Sequence, residues 1–175
     1  MIRLYFAHHN FWKNHLRPNI IISTLSLFLI IGCSSNFERY VPTSAQESAS
    51  NSYKNVRLLD DHNRTETVLS TVYLNKVYPS YADGYAHFIV AFYNPQNENR
   101  LFFDDNMTDE KGYVLLLGKR GALAAEKLDN DDLLLELMPV SNSWSSYYYV
   151  RYPMPSARPV LVLENDHTVK AVITY

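Results

Sequence analysis

A chain of 175 residues that performs catalysis or holds a metal needs nucleophiles, bases or ligands at usable spacing, and here these are sparse. Cys33 is the sole cysteine. A thiol can serve as nucleophile, metal ligand or acyl acceptor, and its surroundings decide which. No serine stands in a G-x-S-x-G elbow, the strand-to-helix setting of many acyl-transfer enzymes. Beyond Cys33 come His62, His87 and His167. No two of them are spaced at i, i+2 or i, i+4, so they read as turn or strand-surface residues and not as zinc ligands. Asp104, Asn106 and Thr108 offer alternate oxygens as a calcium loop does, but the sixth place is Asp109 and the twelfth Leu115. Glycine and a bidentate glutamate belong there. The run 104–110 and Asp129, Asn130, Asp131 and Asp132 therefore read as solvated turns, with a looser two-loop calcium site as the alternative. The sequence assigns no catalytic residue, no metal and no cofactor.

Recognition chemistry is better represented. Residues 141–149 read Ser-Asn-Ser-Trp-Ser-Ser-Tyr-Tyr-Tyr. Rigid amphipathic aromatics give contact area at low entropic cost while short polar neighbours adapt their hydrogen bonds, which is the composition of binding loops. Trp144, Tyr147, Tyr148 and Tyr149 are the candidate binding residues. A strand turns only one of Tyr148 and Tyr149 inward, so at least one aromatic is expected at a surface. The alternative is that these rings fill a core.

Cys33 has a distinctive approach. Residues 1–19 carry Arg3, Lys13 and Arg17 without an acidic residue, and 20–31 are apolar apart from Ser23, Thr24 and Ser26. A basic front and an apolar core of about a dozen residues have the form of a secretory signal, whereas a membrane-spanning helix needs roughly 20. Ile30, Gly32 and Cys33 then stand three before, one before and at the cysteine. This arrangement resembles the lipobox of bacterial lipoproteins. The resemblance covers the signal region alone and implies that 1–32 are removed, that Cys33 is acylated, and that the bilayer is a partner through that lipid. Ser34, in place of an aspartate, implies the outer membrane of a Gram-negative envelope.

With Cys33 acylated, the exported part has no thiol left for a disulfide and must fold on its core alone. From Cys33 onward there are 13 Lys and Arg against 18 Asp and Glu, a net of −5. An acidic domain is a poor nucleic-acid ligand and gains nothing from anionic lipid beyond its acyl chains.

Positioning these residues falls to the chain beyond Cys33. Residues 33–55 are rich in Ser, Asn, Ala, Gln and Glu, too polar for a core, and read as a flexible tether reaching about 25 Å; docking of 37–41 as an edge strand is the alternative. Residues 56–175 show short apolar runs separated by turn residues, the pattern of a single all-β domain. Expected strands are 56–59, 67–78 (with Val68, Val72 and Leu74 on one face), 85–93, 101–103, 113–117, 133–137, 147–152, 160–163 and 168–175. In 85–93, bulk on both faces predicts a central strand covered on both sides. Residues 119–128 have helical composition, although two turns are marginal alone. Asn165-Asp166 supplies the positive φ of a closing hairpin. The whole predicts a two-sheet antiparallel β-sandwich, immunoglobulin-like or transthyretin-like, with a small closed barrel as the alternative. The functional expectation is a non-enzymatic envelope module that holds a protein partner. A glycan or peptidoglycan binder ranks second and an envelope hydrolase third.

Overall fold

The structure, a computed structural model, describes residues 43–96, 99–104 and 112–175. Helix α1 (Ser44–Ser52) leads into β1 (Tyr53–Leu59), β2 (Thr65–Tyr73), β3 (Tyr85–Tyr93), β4 (Leu101–Phe102), β5 (Tyr113–Leu117), β6 (Ala124–Leu128), β7 (Ser146–Pro153), β8 (Val160–Asn165) and β9 (Thr168–Thr174). Five strands form one sheet in the order β1-β2-β3-β7-β6, and four form another in the order β4-β5-β8-β9. Two open sheets make a β-sandwich, and the closed barrel is set aside. Strand pairing is antiparallel except between β4 and β5, which run parallel. The exception is confined to β4, a two-residue strand at a sheet edge, where a short parallel bridge sacrifices few hydrogen bonds.

Strand β3 organises the interior. Ala86, Phe88, Val90 and Phe92 point between the sheets, where they meet Leu69 and Tyr73 of β2, Tyr152 of β7, Leu115 of β5 and Leu161 of β8. Ile89 and Ala91 point the other way, into a second cluster with Val72, Leu74, Leu135, Leu137, Tyr147 and Ala49 of α1. Both faces of the five-stranded sheet are therefore covered around β3, as its two-sided bulk predicts.

The second cluster corrects several expectations. Residues 44–55 are folded: the Thr43 side chain accepts from the Gln46 backbone, and the Gln46 side chain accepts from the Thr43 N–H. This capping box starts α1, and Ala49 within it is 0 % exposed. Strand β1 accordingly begins at Tyr53, and only 33–42 of the expected tether remain, outside the described residues. Strand β2 stops at Tyr73 because the next residues coil into 3-10 turns at Leu74–Lys76 and Pro79–Tyr81. Val72 and Leu74 still share the second cluster, while Val68 is half-buried.

Residues 119–128 form no helix. Ala122 donates to the Phe103 carbonyl and Leu123 to the Arg151 carbonyl at 2.8 Å, which draws 124–128 alongside β7. Pairing with an open strand edge satisfies more backbone than an isolated two-turn helix can. Residues 133–137 are a 3-10 helix and no strand, since the Asp132 carboxylate accepts from Leu134 N–H and caps a tight turn. Leu135 and Leu137 are buried as in the expected strand, and Leu133 faces solvent. The β8–β9 turn does use positive φ, but at Asp166 and His167, one residue later than expected.

Candidate functional site

One end of the five-stranded sheet carries the loop that leads into β7. Asn142 folds it: its side-chain oxygen accepts from Trp144 N–H and Ser145 N–H, as in an Asx turn. Beneath it, the Tyr147 hydroxyl accepts from Asn142 N–H at 2.7 Å and donates to the Asn142 carbonyl at 2.9 Å. A third tie comes from the β3–β4 loop, where Asn99 at φ 58° donates to the Trp144 carbonyl. Asn tolerates this left-handed backbone better than most residues. The same side chain accepts from Asn94 N–H, so one amide spans two loops.

These ties decide what the candidate aromatics do. Trp144 is 64 % exposed although its backbone is fixed on both sides. Tyr147 is 2 % exposed and belongs to the second cluster. Tyr148 packs from the opposite face onto the intersheet core, its ring 5.1 Å from that of Phe103. Tyr149 is half-buried against the second cluster. The run of tyrosines is thus taken up by two cores instead of one, and Trp144 alone of the four candidates stands out in solvent. The four do not form one surface patch.

Around Trp144 lies a cleft of about 340 Å³ bounded by Asn99, Lys127, Asp129, Asn130 and Ser143. A second cleft of about 310 Å³ shares Asn130, Ser143 and Tyr147 with it. Three loops build these walls, so fixed residues far apart in sequence converge beside one exposed indole.

A second constellation, which the sequence did not reveal, lies on the outer face of the same sheet. His87 is 2 % exposed and not at the strand surface as expected. Its Nε2 lies 2.8 Å from an Asp83 carboxylate oxygen, and its Nδ1 2.6 Å from the Tyr149 hydroxyl. The His87 hydrogen bond holds the Asp83 carboxyl below the usual carboxylate range, aided by Tyr85 N–H. Nε2 therefore carries a hydrogen toward a carboxylate, and in the neutral ring Nδ1 accepts from the Tyr149 O–H. Gly84, at φ +90°, supplies the bend that returns Asp83 to the strand. Asn75 fastens the arrangement by accepting from His87 N–H and donating to the carbonyls of Tyr81 and Tyr85.

The order carboxylate, imidazole, hydroxyl is that of a hydrolytic relay. Its terminal hydroxyl is a phenol, Tyr149, that burial and the neighbouring Tyr81 push up from its ordinary value. The relay satisfies a buried imidazole and ties β3 to β7. Spacing gave little warning of it: Asp83 and His87 are four apart, but Tyr149 is 62 residues from His87.

Among the described residues no group of three or more His, Cys, Asp or Glu is placed to hold a metal ion. Most of the acidic run 104–110, and Cys33 with its lipobox-like approach, lie outside the described residues. No described helix is long and apolar enough to cross a membrane. Comparisons with protein-family models, with curated proteins and with solved structures give no match.

Proposed function

We propose that this chain is a lipid-anchored, non-enzymatic binding module of the bacterial outer membrane, acylated at Cys33, whose ligand docks on the Trp144 loop. The anchor rests on Ile30, Gly32 and Cys33 at the end of a signal-like segment. The docking site rests on one observation: a largely exposed indole on a loop whose backbone is pinned by Asn142, Tyr147 and Asn99. Exposure of a large aromatic forgoes burial worth a few kcal/mol, while a pinned loop has already met the ordering cost that binding otherwise imposes. Both features suit an interaction surface.

Retention of envelope components from detergent extract tests this reading. The native chain should retain a component that Trp144→Ala loses, with the variant's melting temperature unchanged. Equal retention by the two would refute docking at Trp144.

A further inference from the structure

Resting on the reading of the Trp144 loop as the docking surface, we propose that the cleft beside it binds a neutral oligosaccharide. One sugar ring would stack on the indole while its hydroxyls reach Asp129, Asn130 and Ser143. The electron-rich face of an indole attracts the polarised C–H bonds on the flat side of a pyranose ring, and the exposed Trp144 side chain projects from a backbone that is already pinned. A sugar hydroxyl both donates and accepts, so its site needs both capacities. The Asn130 amide and the Ser143 hydroxyl supply donors and acceptors, and Asp129 supplies acceptors.

Charge argues for a neutral ligand. Lys127 and Asp129 are the charged residues of this lining and carry opposite charges, so the lining has no net charge. A protein hot spot would instead surround the tryptophan with apolar groups that exclude water. Here the other apolar and aromatic side chains of the lining, Leu128 and Tyr147, are themselves buried in the second cluster. Size is consistent, since small-molecule sites begin at roughly 300 Å³ and this cleft has about 340 Å³. The neighbouring cleft shares Asn130 and Ser143 with the first and adds room for a second ring against a more apolar wall that includes Leu135.

Calorimetric titration of the full chain in detergent with N-acetylated chitotetraose and with cellotetraose tests the proposal. At least one should bind. Trp144→Ala should weaken that binding by about tenfold or more, and Trp144→Tyr should retain most of it because the stacking face persists. Asn130→Ala should also weaken binding, with the melting temperature of each variant unchanged. Absence of binding by either sugar to a native chain that melts cooperatively would overturn the proposal. So would sugar binding indifferent to Trp144→Ala. If neither sugar binds while envelope retention still depends on Trp144, the saccharide is wrong and the docking loop stands.

Discussion

Phe88→Ala removes the ring at the middle of the intersheet core. Phe88 is 0 % exposed and sits on the strand with neighbours on both sides. Its ring stacks on Tyr73 at 4.9 Å, meets Tyr152 edge-on at 5.9 Å, and lies 5.4 Å from Tyr175. Truncating a buried phenylalanine costs about 3–5 kcal/mol, and aromatic pairs contribute about 0.5–1.5 kcal/mol beyond area alone. Three such partners, two on the five-stranded sheet and Tyr175 just past the end of β9, put the expected loss near the upper end, about 5 kcal/mol. That equals the whole stability of a domain at the low end of the usual range of about 5–15 kcal/mol, so the variant is expected to be partly unfolded in water. Phe88→Leu keeps most of the volume and should lose about 1–2 kcal/mol with the cooperative transition intact. Urea unfolding followed by far-ultraviolet circular dichroism measures both, and the slope should match that of the native chain. A loss below about 1 kcal/mol for Phe88→Ala would mean that this face of β3 does not line the core.

Other perturbations separate other parts of the account. Ala49→Asp places a carboxylate where α1 packs on the second cluster and should cost several kcal/mol, about the penalty of an unpaired buried charge; a loss within about 0.5 kcal/mol would restore the tether reading of 44–55. Asp60 and Asp83 both have carboxyls held low, by Arg64 N–H and by His87 respectively. Groups lowered in this way add stability above the unfolded value of 3.8 that is lost as pH falls through the folded value. Unfolding midpoints should therefore drop below about pH 4 and drop less in the Asp60→Asn, Asp83→Asn double variant; identical acid profiles would refute these assignments. Cys33→Ser should abolish metabolic labelling by a fatty-acid analogue, since an oxygen does not replace the thiol as acyl acceptor; label retained by the serine variant would sink the anchor.

The sequence made β3 legible because Ala86, Phe88, Val90 and Phe92 alternate with Ile89 and Ala91, and a strand covered on both sides has no other way to appear. Composition misled where tertiary pairing outweighs propensity: 124–128 have helical residues, yet the free edge of β7 takes them as a strand. Alternation misled at 133–137, where Asp132 caps a 3-10 turn that buries Leu135 and Leu137 just as a strand would. The α1 helix did carry a signal, Thr43 three residues before Gln46, but polar composition masked it. That one aromatic of 141–149 reaches the surface was legible, and Trp144 is that residue, whereas the burial of the tyrosines beside it was not, because nothing local shows that β7 has a core on each face. The Asp83–His87–Tyr149 relay depends on strand pairing between distant segments, with Ile89 opposite Tyr149, and no short motif encodes it.

Docking at Trp144 is tested most directly by a photo-crosslinking amino acid placed at Lys127, exposed on the lining of the cleft, in living cells with Trp144 intact, and with the same group at Val172 as an exposed control on β9. Irradiation should yield a discrete adduct with an envelope component from position 127 that Trp144→Ala abolishes, and none from position 172. An absence of adducts at 127, adducts indifferent to Trp144→Ala, or the same adducts at both positions would contradict the assignment of the Trp144 loop as the working surface of this protein.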